Sequence, residues 1–279
     1  MREPVFAGAF YPYDPEELRK TIKGFLGNGA NKRDVIGAVA PHAGYAYCGK
    51  TAASVYGAIA GGFETAVVLG PNHSGTGSGI AVSSDSWKTP LGTVKSDKEF
   101  AKELVRDSII AEDETAHSRE HSIEVQLPWL QFLFRDFRIV PISVSPAYFD
   151  IDSCKEIGDK ITEAADRLKR KILIIASSDF THYGHSYGYL PFVGGDVAGK
   201  IKELDMKTIG LVEKLDAEKV IRASYEKGLT ICGYGAIASM LFAAKKLGAK
   251  KGKLMDYSTS FDISKNLDAI VGYAGLIIY

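Results

Sequence analysis

Short, continuously apolar runs alternate along this chain with longer stretches whose apolar residues recur every three or four positions. The runs VIGAVA (35–40), TAVVLG (65–70), GIAVSS (79–84), FRIVPISV (137–144), KILIIASS (171–178) and AIVGYAGLIIY (269–279) predict strands. Most of them show no apolar/polar alternation, as a sheet covered on both faces requires. Helical periodicity predicts helices at 15–26, 49–60, 97–106, 118–134, 152–168, 195–213, 216–225 and 233–247. Strand and helix alternate from end to end, which predicts an α/β fold: a three-layer α/β/α arrangement around a mostly parallel or mixed sheet. Without a Pro/Ser-rich linker or a repeat of fixed period, residues 1–279 read as a single domain.

The 34 basic residues balance 34 acidic ones, which argues against nucleic acid or an anionic membrane as partner. The opening MREPVFAGAFYP lacks a sustained apolar core, and no segment reaches 18 uninterrupted apolar residues, so a soluble cytoplasmic protein is expected. Cys48, Cys154 and Cys232 form no CxxC pair, so neither a disulfide framework nor a zinc ribbon is indicated.

In open α/β sheets, ligands bind beyond the carboxyl ends of the strands. PHAGY places His42 after the first strand, GPNHSG places His73 after the second, and SSDFTHYG places Asp179 and His182 after KILIIA. In CGYGAI, Cys232 precedes glycines and a helical run, where helix N-terminal amides favour a thiolate. A histidine after one strand is usually a backbone-bonded loop residue; equivalent placement of several gives the set its weight. Two imidazoles and a thiolate outline a metal site, and this mixed N/S set suits iron, copper or zinc rather than magnesium or calcium.

The stretch HSREH (117–121) matches the HxxEH pattern of inverzincin metallopeptidases, but Ser118 reads as an N-cap that leaves His117 outside the helix. Pro128 should bend the 118–134 helix and free a carbonyl near Glu124. His121 and Glu124, three apart, then either belong to a packing helix or point into the cleft, which makes His121 a candidate catalytic group beside His182 and Asp179. Tyr45, Tyr47, Tyr183, Tyr187 and Tyr189 crowd the same loops, as cleft lining or as surface filler.

The motifs REPVFAGAFYP, PHAGY, LGPNHSG, REHSIEVQLPWLQ, SSDFTHYG, CGYGAI and DYSTSFDI span nearly the whole chain in this order, and together they resemble the Memo family. That family is similar in structure to LigB-type, or class III, extradiol dioxygenases, so the resemblance implies a LigB-dioxygenase-like α/β domain. It also implies iron or copper on His42, His73 and Cys232, with Asp179 and His182 as cleft neighbours and His182 where a dioxygenase keeps its acid/base histidine. No nucleotide cofactor is implied. An AMMECR1-like protein, a radical SAM protein, and a peptide or small phenolic ligand are the partners the resemblance suggests. Those dioxygenases complete their metal triad with a carboxylate, whereas Cys232 stands at that position here, so ring cleavage does not follow from the fold. Three functions are open at this point. One is a redox metalloprotein in which His182, oriented by Asp179, moves protons. The second is a Cys232–His182–Asp179 hydrolase, and the third a non-catalytic adaptor with an enzyme-like cleft.

Overall fold

A computed structural model of the chain describes residues 1–27 and 31–279. Asp14 caps α1 (Pro15–Leu26) by accepting from the amides of Glu16 and Glu17, with Pro15 in the first turn where its missing N–H costs nothing. Strand β1 (Gly37–Ala40), helix α2 (Tyr45–Tyr56) and strand β2 (Thr65–Pro71) follow. Next come β3 (Ile80–Val82), a hairpin of β4 (Trp87–Thr89) and β5 (Gly92–Val94), α3 (Lys98–Leu104) and β6 (Ala111–Glu112). The middle of the chain supplies α4 (Leu127–Leu133), β7 (Arg138–Val144), α5 (Ile151–Leu168), β8 (Ile172–Ser177) and β9 (His182–Gly184). Helices α6 (Val197–Glu213), α7 (Ala217–Glu226) and α8 (Tyr234–Lys246) precede β10 (Gly252–Thr259), α9 (Phe261–Ser264) and β11 (Ala269–Ile278).

The main sheet runs β10-β11-β1-β8-β2-β7-β3-β6, with β9 attached to β11. Its centre, β1-β8-β2-β7, is parallel, while β11 and β3 join it antiparallel, so the sheet is mixed. Successive side chains of each central strand enter different cores. Ala38, Ala40, Ala66, Val68, Leu173 and Ile175 face α1, α2 and α4, where they meet Leu18, Tyr56 and Trp129. Val39, Val67, Leu69, Ile174 and Ala176 face the opposite layer, with Phe100, Ile157, Val220 and Met240. This two-sided burial explains the unbroken apolar runs, since each buried Val, Leu or Ile contributes about 1.5–3 kcal/mol, and each Ala less, on whichever face it lands. A Cβ on Gly158 would lie 2.9 Å from the Ser239 carbonyl, so glycine there lets α5 and α8 approach closely. Among the described residues, no helix is long and apolar enough to cross a membrane.

One long helix over 118–134 does not form. Short 3-10 turns at Glu114–His117 and Glu124–Gln126 precede α4, and Pro128 lies in the first turn of α4 rather than bending a helix interior. Proline is tolerated in a first turn because the amide it lacks has no intrahelical acceptor there. Helix α2 begins at Tyr45, four residues before its periodicity becomes apparent. Strand β10 carries no continuous apolar run because it is an edge strand with half-exposed residues, interrupted by a bulge between Leu254 and Asp256.

Candidate metal centre

Three adjacent parallel strands, β1, β8 and β2, end on the same edge of the sheet, and each places an ionisable residue two positions past its last residue: His42, Asp179 and His73. The fourth contributor, Cys232, precedes Gly233, the N-cap of α8. Ligand atoms of His42, His73 and Cys232 all lie within 4.8 Å of one another. The His42 and His73 rings are 5.2 Å apart and nearly perpendicular, and Cys232 Sγ lies 3.1 Å from His42 Nε2. Residues from distant parts of the chain are thus brought to one place.

Hydrogen bonds decide which nitrogen of each ring is free. The Ser177 hydroxyl donates to the Ser122 carbonyl at 2.6 Å, and the Gln126 amide donates to Ser177 Oγ at 2.8 Å. With its only proton spent, Ser177 Oγ must accept from His42 Nδ1 at 3.0 Å, which leaves the lone pair on Nε2. Gln126 is itself oriented by donation to the Pro41 carbonyl and acceptance from the Tyr56 hydroxyl. At His73, Glu120 accepts both the backbone N–H (2.6 Å) and Nδ1–H (3.0 Å), so Nε2 again keeps its lone pair. Both imidazoles are therefore fixed as Nδ1–H tautomers by a second layer of polar groups, an arrangement that orients ligands to a metal.

Asp179 ties two of the strands together. Its Oδ1 accepts the His42 amide at 2.8 Å, and its own amide donates to Cys232 Sγ at 3.3 Å. It does not hydrogen-bond to His182, contrary to expectation. His182 instead donates from Nδ1 to the carbonyls of Phe180 (3.0 Å) and Thr230 (2.9 Å), leaving its Nε2 as the free base. Cys232 has His42 as its imidazole neighbour, so Cys232, His182 and Asp179 form no hydrogen-bonded hydrolase triad. Cys232 lies just ahead of the N-cap of α8, as the sequence predicted. Burial and the Asp179 charge push the Cys232 thiol well up, against the Asp179 amide and Ser178 hydroxyl that favour the anion.

His121 enters the cluster from a turn rather than a helix. Its ring stacks on His73 at 4.8 Å and packs against Phe10 at 4.7 Å, and burial, opposed by Glu120, holds its pKa down at about 4. Glu120 is the functional residue that periodicity concealed, because the supposed helix gave it no direction. Burial opposes its charge, yet hydrogen bonding to His73 and the Ser122 amide pulls its pKa to about 2. Glu124 points elsewhere. It accepts from Arg2, Tyr11 and the amides of Val5 and Phe6, and so anchors the N-terminal segment instead of serving the cleft. Among the five tyrosines, Tyr187 is exposed with its ring 5.0 Å from His182, and Tyr47 is exposed. Tyr45 and Tyr183 are buried with their hydroxyls on backbone carbonyls, and Tyr189 packs on the core.

Of the HSREH residues, Glu120 and His121 form with His73 a second group whose ligand atoms lie within 4.8 Å of one another, contiguous with the first through His73, whereas His117 takes no part in either group. His117 is fully buried against Trp87, with Nε2 on the Ala81 carbonyl. Burial and the Arg2 charge lower its pKa from 6.5 to about 4, against weaker opposing influence from the Ala81 carbonyl bond and then Glu120 and Asp113. A base whose folded pKa lies below its unfolded one stabilises the fold fully above the unfolded value, and that stability is lost as pH falls through the folded value. Between pH 6.5 and 4, His117 is therefore expected to remove roughly 3 kcal/mol. Urea unfolding of wild type and His117→Gln across this window checks the sign: the acid-side slope should be shallower in the variant.

A family model described as "Memo-like protein" matches residues 2–277. A MEMO1 family protein of Methanosarcina barkeri is 43% identical over 280 residues, covering 100% of both chains. One from Pyrococcus abyssi is 43% identical over 291 residues, covering 100% of this chain and 99% of its own. An uncharacterized protein from Escherichia coli K12 superposes with a TM-score of 0.49 at 14% identity, over 77% of this chain and 85% of that one.

Proposed function

Because the chain belongs to the Memo-like protein family, we propose that it is a metal-binding protein in which His42, His73 and Cys232 hold iron or copper for a redox role akin to that of non-heme dioxygenases. The observation that carries this reading is the convergence of two Nε2 lone pairs, freed by locked Nδ1–H bonds, with one sulfur. The span of these donors, at most 4.8 Å, is of the order set by two metal bonds of about 2.0–2.3 Å each. Imidazole and thiolate match iron, copper or zinc; zinc would fit the same donors but offers no one-electron chemistry. Iron or copper, when bound, would supply Lewis acidity and electron transfer at this position.

The remaining roles belong to the chain itself. His182 presents a free Nε2 beside the cleft and can take or deliver a proton there, its ring angle fixed by two carbonyls. Asp179 holds the His42 backbone and the Cys232 sulfur in register. Glu120 sets the His73 ring, and Phe10 and His121 close off one side of it.

Anaerobic titration with Co(II) provides the test, because thiolate coordination produces an intense charge-transfer absorption that imidazole alone does not. Wild-type protein should show this band and bind one ion per chain, and Cys232→Ser should lose the band. Equal metal content in wild type, Cys232→Ser and His73→Ala would remove these residues from the site.

A further inference from the structure

We propose that Asp205, on α6, is the positioning residue of His182 and acts through Thr181; this rests on the reading that His182 is the proton-carrying group of the proposed centre. Asp205 is 1% exposed, and among the described residues its three hydrogen-bond donors are all neutral: the Thr181 amide (3.2 Å), the Thr181 hydroxyl (2.6 Å) and the Tyr257 hydroxyl (2.7 Å). Burying a carboxylate without a cation is costly, whereas an apolar side chain would fill the same space without that cost. Burial accordingly pushes the carboxyl up to about 6, against the pull of its Thr181 and Tyr257 bonds. What the carboxylate secures is a polypeptide crossing. Phe180 donates to the Gly272 carbonyl, Gly272 donates back to the Thr181 carbonyl, and a Cβ on Gly272 would collide with the Asp205 carboxylate. Thr181 is thereby gripped from α6 and β11 at the point where the loop leaves β8 for β9, with Tyr257 of β10 holding the Asp205 carboxylate in turn.

The grip reaches His182 by two routes. Thr181 is the residue before His182, and the carbonyl of Phe180, the residue before Thr181, accepts from His182 Nδ1. A displacement of Thr181 therefore moves both the ring's attachment and one of its two acceptors. The other acceptor, Thr230, comes from the α7–α8 loop and holds the His182 backbone by two further bonds, so it stays in place while Thr181 and the Phe180 carbonyl shift. Loss of the Asp205 anchor should leave the imidazole with one acceptor out of place and release its tautomer.

Long-range proton–nitrogen NMR of the His182 imidazole, assigned with His182→Gln and recorded on the full chain without metal at pH 7.5, tests this. Wild type should show the Nδ1–H tautomer alone, and Asp205→Ala a mixture of tautomers. Asp205→Asn, which keeps an acceptor for Thr181 and can bond Tyr257, should restore the wild-type pattern. If Asp205→Ala fails to fold, Thr181→Val removes only the hydroxyl bond and should give an intermediate mixture. A wild-type His182 spectrum in whichever of these two folds, or no rescue by Asn, would overturn the proposal. Co(II) binding by the same variants separates the two readings: unchanged His182 signals with intact metal binding defeat only the Asp205 assignment, whereas a wild type that binds no metal defeats the reading of the centre.

Discussion

Glu124→Ala is expected to destabilise the protein by about 3–5 kcal/mol, because it leaves the buried Arg2 guanidinium without its carboxylate. Arg2 donates to Glu124 at 2.6 Å, to the carbonyls of His117 and Glu120, and lies 4.1 Å over the Trp87 ring, while both charged side chains are almost wholly shielded from solvent. The same carboxylate accepts from Tyr11 and from the amides of Val5 and Phe6, so its removal strands four donors at once. Thermal unfolding should report a loss of roughly 10 °C. A paired Arg2→Met, Glu124→Leu substitution should recover part of this, since neither charge is then left alone. A melting temperature within about 2 °C of wild type for Glu124→Ala would refute the account. This pair also clamps the loop that carries Glu120 and His121, which makes it the mechanical base of one side of the cleft.

Glu120→Gln should weaken metal binding by about 10–100-fold while leaving the far-ultraviolet circular dichroism unchanged. In the wild type the carboxylate oxygens face three N–H donors: the His73 amide, His73 Nδ1 and the Ser122 amide. A glutamine in the same rotamer must turn its NH2 group toward one set of these donors. The His73 ring then loses either its angle or its tautomer, and its Nε2 is no longer reserved for a cation. Competition titration against a chelator of known affinity measures the effect at a temperature well below unfolding. An affinity within about threefold of wild type would show that His73 needs no carboxylate behind it. The His42 side of the site offers a comparison, because Ser177 holds that ring through a neutral hydroxyl and should tolerate substitution with a smaller loss.

Much of the frame was legible before any coordinates. Six apolar runs correspond to β1, β2, β3, β7, β8 and β11, since doubly covered strands have no reason to alternate. The sequence failed where local pattern and tertiary demand diverge. Residues 118–126 have apolar spacing that suits a helix, but the chain there is held open because Glu120 turns to His73 and Glu124 turns to the N-terminal segment. Strand β10 escaped because its pairing with β11 is on one edge only, which frees its residues from an apolar pattern.

By itself the sequence determined that three strands would end in loops bearing His42, His73 and Asp179, because strand identity and offset are local properties of a few residues. It could not determine which ring nitrogen each histidine keeps free. That choice belongs to Ser177, Gln126 and Glu120, whose bonds to the site close over separations of 135, 51 and 47 residues. Only packing of the two layers against the sheet brings such groups within hydrogen-bond reach, and only there does a set of histidines acquire the orientation that a metal requires.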